Sequence, residues 1–252
     1  MGSRKANYGL DAPLIVQGLF LSSFIAFVAC AFCFLIESPL WFWIAFIWAG
    51  LTSVSLFISA IWMIYSSKIA KPRIISKLIK ELNLSKTEKL LDLGCGKGLF
   101  LIKAAKKLEK GNAHGVDLWY QKDQSGNREN ATYQNAKKEG VEVTLQTADL
   151  RSLPFPDGMF DVVTSSLAIH NIEAECGRDK ALFEMLRVLK PGGRFFILDI
   201  QYIKKYAEFL KDLEISCSKA NYFYCPPIQI LKGIKPAHCP VSPINRYDDG
   251  RC

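Results

Sequence analysis

Charge is almost missing from the first quarter of this 252-residue chain. No Asp, Glu, Lys or Arg falls among the 25 residues from Ala12 to Ile36, nor among the 30 from Ser38 to Ser67. Runs of that kind exclude a solvated segment. As helices, 25 residues cover ~37 Å at 1.5 Å each, enough to cross a ~30 Å hydrocarbon core with some tilt. The first run is also too long for a cleaved signal peptide, and the second follows almost at once. A disulfide pattern is missing as well: most of the eight cysteines lie in what reads as cytosolic protein. Cys30 and Cys33 lie inside an apolar run and read as small hydrophobes rather than a redox pair. Cys225, Cys239 and Cys252, with His238, lack the tight spacing of zinc ligands, and no metal site is expected. Two nucleotide signatures also fail. The third glycine of a G-x-G-x-x-G comes one residue too early, and Gly98 is followed by Leu99 where a P-loop needs lysine.

The two uncharged runs read as a transmembrane hairpin (spans about 12–36 and 40–65, within an anchor of residues 1–67) turning at Glu37-Ser38-Pro39. Buried core helices are the competing reading. Trp41, Trp43, Trp48 and Trp62 cluster toward the ends of the second span, as an interfacial belt would. Arg4 and Lys5 precede the hairpin and Lys68, Lys71, Arg73, Lys77 and Lys80 follow it, so the positive-inside rule puts the N-terminus and everything after the hairpin in the cytoplasm. Lysines beside anionic headgroups account for part of the net charge of +8 without nucleic acid as a partner. Residues 68–84 form a basic amphipathic linker with Ile74, Ile75, Leu78, Ile79 and Leu82 on one helical face. That face either lies on the bilayer or packs on the following domain.

The stretch that organises the rest is Leu90 to Gly98, LLDLGCGKG. A short apolar run ending in closely spaced glycines reads as a buried parallel strand that turns sharply into a helix, here Leu99 to Leu108. Glycine permits positive φ and lets a ligand approach the backbone without meeting a Cβ. Further strands are expected at Ala113–Asp117, Val141–Thr147 and Phe160–Ser165, a helix from about Asn127 to Gly140, and weaker strands at Glu214–Lys219 and Ile228–Lys232 beyond a helix from Ile203 to Leu213.

Four motifs in order over Leu90 to Ile200 resemble the class I S-adenosylmethionine-dependent methyltransferases, including the small-molecule enzymes that act on ubiquinone and menaquinone precursors. They are Asp92 with G-x-G-x-G, Asp117 closing a second strand, Ala148-Asp149-Leu150 closing a third, and EMLRVLKPGG leading into RFFILDI. The resemblance implies an α/β fold, a doubly wound seven-stranded Rossmann-like sheet, mostly parallel with its last strand antiparallel, over residues 85–235. It implies S-adenosyl-L-methionine as cofactor. The loop of Gly94, Cys95, Gly96 and Gly98 would hold the methionine end. Asp117, with Leu118 beside it, would take the ribose hydroxyls. Asp149 and the N–H of Leu150 would read adenine. Ser165 to Asn171 would line the space between cofactor and acceptor, with Ser165 on the cofactor side and His170 and Asn171 as candidates for catalysis. His170 is either a general base or a residue that only organises its loop.

Residues 236–252 carry several prolines and no apolar periodicity, and disorder is expected there. Trp119 and Tyr120 either stack on the adenine or pack elsewhere. No N/D-P-P-Y/F follows the fourth strand, as aminomethylating enzymes would require. The expectation is a membrane-anchored enzyme that methylates a small or lipid-like acceptor. The alternatives are a protein acceptor, or a non-enzymatic membrane protein with a degenerate domain.

Overall fold

The structure is a computed structural model that describes residues 6–34 and 40–237. The Glu37-Ser38-Pro39 turn, the Arg4 and Lys5 flank and nearly all of the proline-containing tail lie outside the described residues.

Two apolar helices open the fold, α1 (Pro13–Phe34) and α2 (Leu40–Tyr65). They pair Phe20 with Phe57, Ser23 with Ser53 and Cys30 with Phe46, in opposite chain order, so they run antiparallel. Small residues let them approach. Each of Ser23 and Ser53 donates its hydroxyl to the other's backbone carbonyl at 2.8 Å, an arrangement suited to an environment without water. Their outer faces are bare: Leu14, Phe24, Trp48 and Leu51 are all more than 60% exposed, at 66%, 63%, 67% and 62%. Both helices are long and apolar enough to cross a membrane.

The second apolar helix ends at Tyr65, but the helical path does not stop there. It passes through a π-helical turn (Ser66–Ala70) into α3 (Lys71–Leu82) with α-helical dihedrals at both junctions. The chain thus leaves the hairpin as one continuous rod, stopped at Asn83 in the left-handed conformation (φ 44°). The apolar face of α3 is buried, with Ile75, Leu78, Ile79 and Leu82 packed on α4 (Leu99–Ala105) and the sheet. Of the two uses open to this amphipathic face, the structure selects packing on the domain.

Seven strands follow: β1 (Leu90–Leu93), β2 (Ala113–Asp117), β3 (Thr144–Thr147), β4 (Phe160–Ser166), β5 (Leu189–Asp199), β6 (Glu214–Cys217) and β7 (Gln229–Ile234). Their order is β3-β2-β1-β4-β5-β7-β6. The first five are parallel, and β7 runs antiparallel to both its neighbours. Each face has its own core, because side chains alternate along a strand. Leu91, Leu93 and Val163 face Leu182, Met185 and Tyr206, from α6 (Glu175–Val188) and α7 (Ile203–Phe209). Leu90 and Val162 face α3 and α4. The remaining helix is α5 (Glu129–Glu139), closed by Gly140 at φ 69°.

Several elements are shorter than the sequence suggests. The third strand starts at Thr144 rather than Val141, because the Val141 N–H closes the end of α5 on the Ala136 carbonyl at 3.1 Å. Likewise α4 ends at Ala105, and the N–H groups of Lys107 and Leu108 follow in tighter turns that bond three residues back.

Candidate cofactor site

In a sheet of this order the chain leaves β1 on one side and β4 on the other, and ligands bind in the crevice outside the carboxyl ends of those strands. Here the crevice is a half-open cleft of about 990 Å³, counting the solvent at its mouth.

Its floor is the turn after β1. The N–H groups of Gly94 and Cys95 donate to the Val116 carbonyl at 2.8 and 3.0 Å, tying the turn to β2. Gly94 sits at φ 67° and Gly96 at φ 50°. A Cβ on Gly94 would overlap that of Ala168, and one on Gly96 would come within 2.6 Å of Gln124 Oε1. Conformation and packing therefore both demand glycine. Gly98 lies off the cleft, as the left-handed residue before α4. Cys95 lies on the cleft wall and packs against Gly115, and burial pushes its thiol well up, as for an inert filler.

All three acids singled out from sequence reach this one cleft. Asp92 is 1% exposed and accepts from Thr164 Oγ1 at 2.9 Å. Burial pushes its carboxyl up to about 7, against the pull of the Thr164 hydroxyl and the Lys71 charge. Asp117 accepts the Gly96 N–H at 2.8 Å, Asn127 Nδ2 at 3.1 Å and the Trp119 N–H. A carboxylate has about four acceptor directions, so roughly one remains for a ligand rather than the two that both ribose hydroxyls would use. Asp149 is gripped by Arg151, whose guanidinium holds the carboxyl below the usual range. Leu118 and Leu150 line the cleft beside these acids.

At the end of β4 the wall is made by Ser166, Leu167, Ala168 and Asn171. Ser165 is one residue too early and is buried inside the sheet at 1% exposure. His170 is also off the wall: its Nδ1 lies 2.5 Å from Asp199 Oδ1, at ion-pair distance but off the line of a hydrogen bond. Trp119 turns away and donates its indole N–H to Thr147 Oγ1 at 2.8 Å, whereas Tyr120 faces the cleft and is 54% exposed.

Sequence reasoning missed one wall. Residues 8–12, just before α1, form a strap hydrogen-bonded to residues 123–125, and Asp11 on it lines the cleft. Ser125 N–H donates to the Leu10 carbonyl at 2.9 Å, Ala12 N–H to the Asp123 carbonyl at 3.0 Å, and Gln124 Nε2 to the Tyr8 carbonyl at 3.0 Å. Asp11 on this strap pairs with Lys71 at 3.0 Å, and both line the cleft. Asn127 was missed too. It is 4% exposed, lines the cleft, and its Oδ1 is without a hydrogen-bond partner among the described residues. Nothing in the local pattern marks residues 8–12, since a strap is defined only by what it bonds to.

Residues 91–197 match the methyltransferase domain family, the span that holds the glycine turn, the three acids and the first five strands. That stretch is similar to S-adenosylmethionine-dependent methyltransferases, and it makes up less than half of the chain. The demethylmenaquinone methyltransferase of Symbiobacterium thermophilum is 36% identical over 125 residues, covering 48% of this chain and 45% of that protein. A ubiquinone/menaquinone biosynthesis C-methyltransferase of Chromobacterium violaceum is 43% identical over 67 residues, 27% of this chain and 26% of its own. This chain therefore spans about half the length, or less, of these curated relatives. Among solved structures, phosphoethanolamine N-methyltransferase 2 of Haemonchus contortus in complex with S-adenosyl-L-methionine superposes with a TM-score of 0.52 at 17% identity, over 68% of this chain and 53% of that one. At that identity the likeness is one of fold.

The residues of this cleft fit S-adenosyl-L-methionine, the cofactor bound in the Haemonchus contortus structure. Two buried polar atoms on the cleft, Asn127 Oδ1 and Ser166 Oγ, lack partners among the described residues, and such atoms are costly unless a ligand or water satisfies them. Carboxylates beside them suit hydroxyls, an exocyclic amine and a cationic end.

Proposed function

We propose that this chain is a membrane-anchored methyltransferase that moves a methyl group from S-adenosyl-L-methionine to a small lipophilic acceptor of the quinone kind. The observation that carries the reading is the strap: the peptide that brings Asp11 to the cleft wall runs directly into the first apolar helix. Cofactor site and hairpin are then one piece of structure, and an acceptor dissolved in the bilayer would reach the site without crossing bulk water. The names of the relatives, which concern quinone precursors, support the acceptor class.

When bound, the cofactor supplies an electrophilic methyl carbon on a sulfonium. The protein's work is then alignment and exclusion of water. Asp149 and the Leu150 N–H would hold the adenine, and Asp117 with Asn127 the ribose. The Gly94–Gly96 turn would carry the methionine end, and Asn171 would face the acceptor. His170, tied to the fully buried Asp199, acts in this reading as a positioning residue for the 168–171 turn. With both flanks of the hairpin basic, the catalytic domain lies on the cytoplasmic side.

The test is incubation of membranes containing the chain with methyl-labelled cofactor. Label is expected in the organic-extractable fraction and absent with Asp149→Ala. Label in protein alone would overturn the lipophilic acceptor, and no label anywhere would overturn the enzyme.

A further inference from the structure

The ion pair that joins the two ends of the hairpin, Asp11 before α1 and Lys71 at the start of α3, lies on the cleft wall within electrostatic reach of Asp92. A pair this buried, with side chains 9% and 20% exposed, is weak evidence for stability, because desolvation offsets much of the attraction. Its position suggests another use. Resting on the cofactor reading above, we infer that Asp11 and Lys71 form the subsite for the zwitterionic amino-acid end of the cofactor, so that the membrane hairpin supplies recognition as well as anchorage.

The geometry suits a zwitterion. One Lys71 proton is used on Asp11 Oδ1 at 3.0 Å, leaving two donors, and Asp11 Oδ2 accepts the Tyr224 hydroxyl at 3.0 Å. Each Asp11 oxygen keeps an acceptor direction open. An α-carboxylate and an α-ammonium can therefore dock side-on, antiparallel to the existing pair, without separating it: carboxylate on Lys71, ammonium on Asp11. Each contact would be a charge-assisted hydrogen bond in a partly water-excluded site. The subsite shares its cleft with the Gly94–Gly96 turn, whose backbone would meet the same end of the ligand. The Tyr224 hydroxyl and Ser67 Oγ, which accepts the Asp11 N–H at 3.2 Å, hold the aspartate in place from the far side.

The test compares two ligands on the full chain in lipid nanodiscs by calorimetry. S-adenosylhomocysteine carries the amino-acid end, and 5′-methylthioadenosine lacks it. Lys71→Met and Asp11→Asn are each expected to weaken S-adenosylhomocysteine by roughly tenfold to a hundredfold, the worth of a charge-assisted bond. Methylthioadenosine should bind both variants as it binds the parent, and Lys71→Arg should recover part of the loss. Asp11→Asn, a near-isosteric change, keeps the comparison available if the lysine variant misfolds. Equal weakening of both ligands would overturn the inference, since the pair would then merely hold the strap down. Unchanged binding of S-adenosylhomocysteine would overturn it as well. If the parent bound neither ligand, the cofactor reading would fall, and the subsite with it.

Discussion

Asp92 has a role set by its surroundings. Burial beside the glycine turn pushes its carboxyl up to about 7, far above the ordinary aspartate value of 3.8. Between those values the folded protein holds a proton that the unfolded chain has released, so the ligand-free protein loses stability as pH rises through that window. The slope reaches about 1.4 kcal/mol per pH unit and flattens above 7. Asp92→Asn should remove that slope, which thermal unfolding of the ligand-free protein from pH 4.5 to 8 would show. Gly94 is constrained differently. Gly94→Ala meets both a positive φ and the Cβ of Ala168, and is expected to destabilise by about 2–4 kcal/mol and to abolish cofactor binding. Folded protein with normal affinity would mean that the turn relaxes more easily than its packing indicates.

Among the elements, α3 has the most to do. It continues the second apolar helix, buries one face on the sheet and places Lys71 at the cleft. Its far end is clamped by Arg194 on β5, which donates to the Leu82 carbonyl at 2.9 Å and pairs with Glu88 at 2.6 Å. Arg194→Ala leaves that carbonyl and carboxylate unmatched, at a cost of about 1–3 kcal/mol in denaturant unfolding. The loss should appear as increased hydrogen exchange confined first to the last turn of α3. The edge strand β6 shows the opposite case: it is four residues long, mostly exposed, and paired on one side only, with β7.

At the scale of the molecule, hairpin and domain are not separable parts. A fragment starting at Lys71 keeps every strand and all three carboxylates yet loses the strap, Asp11 and Ser67. It is expected to fold around the sheet but to bind S-adenosylhomocysteine at least about tenfold more weakly than the full chain. Equal affinity would show the strap to be dispensable. The bare apolar faces of α1 and α2 also predict that the full chain stays with membranes after carbonate washing.

Much of this was legible in order along the chain. Leu90 to Gly98, the acids at strand ends and the uncharged runs are local patterns, because strand burial, glycine turns and membrane length each leave a mark within some 25 residues. Ser165 and Ser166 differ by one position along one strand, so only the three-dimensional register tells which reaches the cleft. The same holds for His170, which points to Asp199 from a strand read separately, and for Trp119, drawn off by Thr147. By itself the sequence determined the sheet, the hairpin and the carboxylates, since those follow from short-range periodicity and residue type. Tertiary structure alone decided this wall of the site, because Asp11, Lys71 and Gln124 come from distant parts of the chain. Closing a cavity depends on which surfaces meet, and no local preference encodes that.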